Sequence, residues 1–210
     1  MARWFRWRPW FPAAALGAVL AGWLGAHAWP WLTYGPRAGD VLFQSLPHGP
    51  LVDTIEGVTR SPASHCGIVV ATPGGWMVAE ALGTVHMTPL STWCRRGRGW
   101  AFEVRRLAEP ASGAALAAAT APWLGRPYDA RFRFDDEAIY CSELVLLAGR
   151  SALGRDLGRI ERLGDLDWRP WAAAIEGFEG GPPPLDRLMI TPEALRREPV
   201  LARVHGGLGE

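Results

Sequence analysis

The chain has 210 residues, of which 49% are hydrophobic and 20% charged, so it can bury a substantial core and is not mainly disordered. Its 22 basic residues are all arginine and are balanced by 21 acidic residues, for a formal net charge of +1. A nearly neutral chain lacks the basic surface that nucleic-acid binding requires, so we expect no nucleic-acid partner.

The first 28 residues predict a secretory signal peptide. Arg3, Arg6 and Arg8 form a basic head, residues 10–26 are wholly apolar, and residues 26–28 (A-H-A) match an A-x-A cleavage signature. The alternative is an uncleaved membrane anchor, because the apolar run is long for a signal peptide although marginal for a full span. In either case the arginines stay in the cytoplasm and the rest of the chain is exported.

We therefore divide the chain into a leader at 1–28 and one domain at 29–210. The domain is expected in the periplasm or cell envelope, with membrane association through the N-terminal segment if the leader is retained. Cleavage after Ala28 would leave 182 residues with a formal net charge of −2, because the leader carries three arginines and no acidic residue.

The apolar patterns along the domain predict short strands that cluster together, flanked by helices. The segment at 112–123 is helical, with Ser112 as its N-cap, and the tail from 165 to 210 mixes proline-rich turns with short apolar pieces at 188–190 and 200–201. Because regular βαβ alternation is lacking, the sequence predicts an α+β fold. The predicted strands are 41–43, 65–71, 76–81 and 100–105, and the predicted helices are 51–60, 112–123 and 141–150.

Residues 65–81 predict a hairpin that brings a histidine near a carboxylate. If Ala71 pairs with Trp76 across the T-P-G-G turn, Glu80 lies opposite Gly67, on the same face of the sheet as His65 and diagonal to it. A carboxylate in that position can hold one imidazole nitrogen and stabilise the imidazolium. A register shift of one residue would separate the pair, and His65 would then be an ordinary core histidine.

Cys141 stands in the first turn of the predicted helix at 141–150. Unpaired backbone N–H groups and the helix dipole there favour a thiolate and could also receive an oxyanion. The alternative is an inert core thiol, because Cys141 shares the i, i+3, i+4, i+7 face with Leu144, Val145 and Ala148.

The cysteine count gives a second reason to consider these thiols. Cys66, Cys94 and Cys141 make an odd number, which in an exported protein predicts at least one free thiol or an intermolecular bridge. Cys66 lies on the strand face opposite to His65 and is expected to be buried or paired with Cys94. His86 and Cys94 lack further ligands at a suitable spacing, so no metal site is predicted.

Several segments together resemble the YiiX/YebB-like branch of the NlpC-type cysteine hydrolases, which are papain-like enzymes in circularly permuted order. The most specific pair is S-H-C-G-I at 64–68 followed by Y-C-S-E-L-V at 140–145. Supporting segments occur in the family's order over roughly residues 37–204, namely G-D-V-L-F at 39–43, V-A-E-A at 78–81, G-R-P-Y-D at 125–129 and I-T-P-E at 190–193.

This resemblance implies a permuted papain-like fold in which a small antiparallel sheet packs against helices. It also implies a triad in which Cys141 is the nucleophile, His65 the general base and acid, and Glu80 the residue that orients His65. Tyr128 and Tyr140 are candidates for contacting the substrate or the oxyanion, with plain packing as the alternative. Enzymes of this kind need no metal or organic cofactor.

The implied function is cleavage of an amide or ester through a thioester acyl-enzyme. The substrate could be a cell-wall peptide or a lipid-like acyl conjugate, and the aromatic content with the net charge of −2 favours the lipid slightly. The alternatives are an acyltransferase that uses the same thioester and a binding module that has lost turnover. All three triad positions hold competent residue types, which argues against the binding module.

Overall fold

The computed structural model describes residues 33–135 and 137–209. The chain divides into two units, Met1–Tyr34 and Gly35–Glu210, and the folded domain is the second. The predicted leader at 1–28 lies outside the described residues, as does Asp136, so cleavage and anchoring remain predictions. Within the described part of the chain, no helix is both long enough and apolar enough to cross a membrane.

The domain is built around one antiparallel sheet of six strands in the order β4-β3-β2-β1-β5-β8, while β6 and β7 form a separate pair. Strands β1 to β4 follow one another in the sheet as they do along the chain, so the β2–β3 hairpin lies beside β1. The strands are β1 Val41–Gln44, β2 His65–Thr72, β3 Gly75–Leu82, β4 Thr84–Pro89, β5 Phe102–Leu107, β6 Glu161–Arg162, β7 Leu188–Met189 and β8 Leu201–Gly206.

Six α-helices are described, with short 3₁₀ segments at Arg98–Trp100, Ala121–Trp123, Leu163–Asp165 and Arg169–Trp171. The longest helix, α4, has thirteen residues, and nine of them are buried. The helices are α1 Pro50–Thr59, α2 Leu90–Arg96, α3 Pro110–Ala118, α4 Cys141–Leu153, α5 Ala172–Glu179 and α6 Pro192–Arg196.

The predicted α+β class is confirmed, and so is the predicted hairpin register, in which Ala71 pairs with Trp76 and Ile68 with Ala79. The predicted helix at 112–123 is wrong at both ends. It begins at Pro110, because proline is favoured in a first turn, and the side chain of Glu109, not Ser112, caps it by accepting a hydrogen bond from Ala111. The predicted strand at 100–105 starts instead at Phe102, after the 3₁₀ turn.

One face of the sheet packs against α3 and α4. Phe43 on β1 and Cys66 and Ile68 on β2 point to this face, and they share a core cluster with Leu116 of α3 and Val145 of α4. All five side chains are fully buried. The burial of these groups fixes which face of each strand looks towards the helix that begins with Cys141.

The opposite face of the sheet is covered as well. Leu42 and Val69, which alternate with the residues just described, are fully buried, and α2 packs against β3 and β4 with Trp93 fully buried. Because both faces are covered, a polar group between the strands and α2 is removed from water. His65 and Glu80 lie there, at 2% and 0% exposure.

Gly39, just before β1, allows the backbone to pass very close to α3. Its φ is +84°, and a Cβ built on it would lie 2.1 Å from the carbonyl oxygen of Gly113. A side chain at position 39 is therefore excluded both by conformation and by contact with backbone that cannot rotate away.

We predict that Gly39→Ala lowers the free energy of unfolding by about 2–4 kcal/mol, since it combines a strained φ with a clash in the interior. Gly49→Ala is the matched control, because a Cβ there meets nothing within 4 Å and the backbone is extended. Urea unfolding of both variants measures the difference, and equal stabilities would refute this account of Gly39.

Candidate active site

Cys141 is the first residue of α4, and Tyr140 is its N-cap. At this position the backbone N–H groups of the first turn have no partner within the helix, and the positive end of the dipole favours a negative charge on sulfur. The side chain of Glu143 accepts a hydrogen bond of 3.4 Å from the Tyr140 N–H and so closes the end of the helix. Cys141 itself is only 1% exposed.

The β2–β3 hairpin brings His65 and Glu80 together as the register predicts. The paired positions between the strands run from Thr72 and Gly75 to Ile68 and Ala79, and the two polar residues lie just beyond this end. His65 Nε2 is 2.5 Å from Glu80 Oε2. Since Nε2 is engaged by the carboxylate, Nδ1 is the ring nitrogen that remains for an interaction with Cys141.

Gly67 gives the hairpin the space this contact needs. A Cβ at position 67 would lie 2.6 Å from Val78 Cγ1 and 2.9 Å from the Ala79 carbonyl oxygen. Both distances are shorter than van der Waals contact, so a larger residue would push the two strands apart. Separating the strands would in turn increase the distance between His65 and Glu80.

Three further side chains surround Glu80, and sequence reasoning assigned none of them to the site. The Thr88 hydroxyl donates to Glu80 Oε1 at 2.5 Å. Arg96 reaches both carboxylate oxygens, with Nη1 3.0 Å from Oε1 and Nη2 bonded to Oε2. His86 Nε2 is 3.6 Å from Oε1, and its ring is 40% exposed. No motif marks these residues, because β4 and α2 were not predicted as elements.

Cys66 is a further residue near the site whose interaction with Cys141 was not predicted from the sequence. It is fully buried and free, so the alternative of a bridge to Cys94 is wrong in this structure. Its thiol is the strongest influence that lowers the pKa of Cys141, and its backbone N–H acts in the same direction. The residue after His65 therefore faces α4 while His65 itself faces α2.

The two predicted tyrosines differ in their surroundings. Tyr140 is fully buried, and its hydroxyl accepts a hydrogen bond of 3.0 Å from the Ile190 N–H. Its ring packs against Phe132 with the centroids 4.9 Å apart, so Tyr140 anchors the start of α4 and corresponds to the packing alternative. Tyr128 lies in the field of Cys141, and its pKa is raised by burial and, secondarily, by the charge of that sulfur.

Residues 35–205, most of the chain, match the family described as permuted papain-like amidase enzyme, YaeF/YiiX, C92 family. The chain belongs to this family. The predicted family and the permuted papain-like fold are thereby confirmed, and membership supports a cysteine hydrolase in general.

Two similar proteins agree with the assignment. The chain is 31% identical over 180 residues to the uncharacterized protein YiiX of Escherichia coli K12, covering 83% of this chain and 89% of that protein. It also matches the crystal structure of the metalloprotein YiiX from Escherichia coli O157:H7, with a TM-score of 0.78 and 30% identity. That match covers 84% of this chain and all of the other.

The description of the second relative as a metalloprotein raises the question of a metal in this protein. Over residues 33–135 and 137–209, no three His, Cys, Asp or Glu side chains converge in a way that could hold an ion. His65 and Glu80 are bonded to one another, and Glu80 is also bonded to the Arg96 guanidinium, a cationic group that would repel a metal cation. The described donor set therefore does not fit a metal.

The electrostatics of the candidate site favour an ion pair between Cys141 and His65. The largest influence on the pKa of Cys141 is hydrogen bonding from Cys66, which lowers it. Burial raises this pKa, but Cys66 and His65 together outweigh burial and hold the pKa well below its usual range. For His65, burial disfavours the charged form most strongly, but hydrogen bonds to Cys141 and Glu80 outweigh it and raise the pKa to about 9. Between these two pKa values the proton rests on the imidazole.

We predict that iodoacetamide alkylates Cys141 selectively near neutral pH and that His65→Gln slows this reaction at least about tenfold. Each unit by which a thiol pKa rises above the ambient pH reduces the thiolate fraction about tenfold. Mass spectrometry with assignment of the labelled cysteine measures both rates.

Cys94 is the internal control in this experiment, since burial raises its pKa to about 12 and it should label slowly in both proteins. Labelling of Cys141 only after unfolding would restore the interpretation of an inert core cysteine.

Proposed function

We propose that the domain hydrolyses an amide or ester of a lipid-like acyl group, with Cys141 as nucleophile, His65 as general base and acid, and Glu80 as the residue that orients His65. The observation that carries this proposal is the buried contact of 2.5 Å between His65 Nε2 and Glu80 Oε2, beside a cysteine whose pKa is lowered by Cys66 and His65. That cysteine lies at a helix N-terminus, where a thiolate is favoured.

In the proposed mechanism the Cys141 thiolate attacks the acyl carbonyl carbon, and the carbonyl electron pair moves to oxygen. The unpaired N–H of Cys141 at the helix terminus is the first donor for that oxyanion, and the neutral hydroxyl of Tyr128 is a candidate second donor. Collapse breaks the bond to the leaving group, which takes the proton from His65. The acyl group is then held as a thioester.

Deacylation uses the same groups, with His65 now acting as a base and not as an acid. His65, now neutral, removes a proton from water, and the resulting hydroxide adds to the thioester carbonyl. Collapse of this second intermediate expels the Cys141 thiolate and releases the carboxylic acid. The imidazolium–thiolate pair is thereby restored, with Glu80 ionised throughout because its hydrogen-bonded partners outweigh burial and hold its pKa well below the usual range.

An apolar cavity beside the site supports the lipid-like substrate class. It has a volume of about 70 Å³ and is walled mainly by aliphatic and aromatic side chains, a lining that favours an apolar group over a polar one. The cavity lies between α1, α5 and the loop that carries Phe132. Its apolar walls include Leu51, Ile55, Val58, Phe132, Ile175 and Met189.

The walls of this cavity are bonded directly to the neighbours of the nucleophile. Ile190 lines the cavity, and its backbone N–H donates to Tyr140 while its carbonyl accepts a hydrogen bond of 2.9 Å from Ser142. Phe132 lines the cavity and packs on Tyr140. An acyl chain in the cavity would therefore lie against residues that neighbour Cys141, although Cys141, His65 and Glu80 do not line the cavity themselves.

We further propose that the domain works in the periplasm or cell envelope, on the basis of the leader predicted at 1–28. Expression with and without residues 1–28, followed by fractionation and N-terminal sequencing, tests this proposal. Export with a new N-terminus at Trp29 would support cleavage. Retention of full-length protein in the membrane would support the anchor, and cytoplasmic full-length protein would refute export.

To test the reaction, we expect a p-nitrophenyl acyl ester to add one acyl mass to Cys141 and none to a Cys141→Ser variant. The adduct should decay in buffer alone, as hydrolysis requires. For an alkyl ester or an amide, whose leaving group must be protonated, turnover should fall as the pH rises through about 9, because His65, whose pKa is raised to about 9, then loses the proton it gives to that group.

Stopped-flow kinetics and intact-protein mass spectrometry measure both effects. An adduct that persists until an amine or alcohol is added would favour acyl transfer instead, and absence of any adduct would favour a binding module.

To test the substrate class, we predict that Ile55→Asp lowers kcat/KM for a twelve-carbon acyl ester at least about tenfold and changes that for an acetyl ester by less than about twofold. A charge in the cavity removes favourable burial of about 0.8 kcal/mol per methylene. Val204→Asp is the control, since Val204 is 44% exposed on β8 and outside the cavity. Equal losses for both esters would refute the cavity as the acyl subsite.

A further inference from the structure

The carboxylate of Glu80 has more partners than the orientation of one imidazole needs. It is fully buried, yet it accepts hydrogen bonds from Thr88 at 2.5 Å and from both terminal nitrogens of Arg96. A buried anion is strongly destabilised unless it is paired. The groups that pair it therefore decide whether Glu80 stays ionised at the pH where the site works.

We propose that Arg96 and Thr88 are positioning residues that hold Glu80 ionised and aimed at His65. This inference rests on the function proposed above and extends the triad by two residues. Arg96 provides both the compensating charge and a planar two-point contact, which fixes the plane of the carboxylate as well as its position. Thr88 provides one neutral donor to the oxygen that does not face His65.

The surrounding elements make Arg96 part of the site and not a surface arginine. It is the last residue of α2, and its side chain is only 24% exposed. The same helix stacks Trp93 on the His65 ring, with the centroids 6.0 Å apart. Helix α2 thus covers the imidazole with one residue and holds its carboxylate partner with another.

The charges that face Glu80 determine the sign of the expected effect. They are His65, Arg96 and the partly exposed His86 at 3.6 Å, with Thr88 as a neutral donor. Without the Arg96 cation, burial raises the pKa of Glu80, so the carboxylate gains a proton at a higher pH. The same loss removes a positive charge that opposes protonation of His65, so the pKa of His65 rises too. Both limits of the active pH range should therefore move upwards.

The test compares Arg96→Met with Arg95→Met. Arg95 is the adjacent residue of α2, is exposed, and donates only to the Ser91 carbonyl. For each protein the rate of Cys141 alkylation by iodoacetamide is measured from pH 4 to 10, together with the ester kinetics. We expect Arg96→Met to move both limits up by about one pH unit and to lower kcat about 10- to 100-fold with little change in KM. Arg95→Met should match the wild type.

Two further variants separate charge from geometry. Arg96→Lys keeps the charge without the two-point contact, so it should restore the pH limits and recover kcat only in part. Thr88→Val keeps the shape and removes one neutral donor, so it should move the acid limit slightly and leave the alkaline limit unchanged.

The outcomes distinguish the two levels of the proposal. The positioning role is refuted if the alkylation and hydrolysis rates of Arg96→Met have the same pH limits as those of the wild type. It is also refuted if these rates fall only because less of the variant is folded, as a lower Tm would show. If Cys141 in the wild type shows no selective alkylation and no acylation, the proposed function itself fails. Since alkylation needs no substrate, the positioning role remains testable even if the ester is a poor substrate.

Discussion

The arrangement of the site depends on keeping one ionised carboxylate, Glu80, out of water. Removing a carboxylate from water costs several kcal/mol even after the protein relaxes around it. Here His65, Thr88 and Arg96 supply hydrogen bonds to both of its oxygens. These hydrogen bonds form only when β2, β3 and β4 pair in the correct register and α2 packs against them. The position of the histidine is therefore set by four elements.

The same arrangement explains how a buried cysteine can be reactive. Most residues of α4 are buried, which by itself favours a neutral thiol. At the first position of the helix, however, Cys141 meets unpaired N–H groups, and the Cys66 and His65 side chains reach it from the adjacent strand. The two ion pairs, Cys141 with His65 and Glu80 with Arg96, make a series of alternating charges, and each anion has a cation beside it.

Sequence reasoning could predict the parts of the site that local rules determine. The T-P-G-G turn defines the register of β2 and β3, and that register places Glu80 on the face of His65. It could not predict Arg96, because α2 has seven residues and no side-chain cap, and because the segment 95–98 (R-R-G-R) offers three similar arginines. Only the fold selects one of the three. The helix start at Pro110 was missed because serine is a preferred N-cap and glutamate is not, although the Glu109 side chain is the one that caps the helix.

The position of Cys66 shows why a face assignment from alternation is incomplete near the end of a strand. Alternation correctly places the side chains of His65 and Cys66 on opposite faces of β2. Yet both act on the Cys141 thiol, because α4 packs against β2 and begins beside the first residues of that strand. The site requires only that the first residue of a helix, which carries the nucleophile, lies beside the first residue of a strand, which carries the base. The order of His65, Glu80 and Cys141 along the chain can therefore be permuted without changing the geometry of the site.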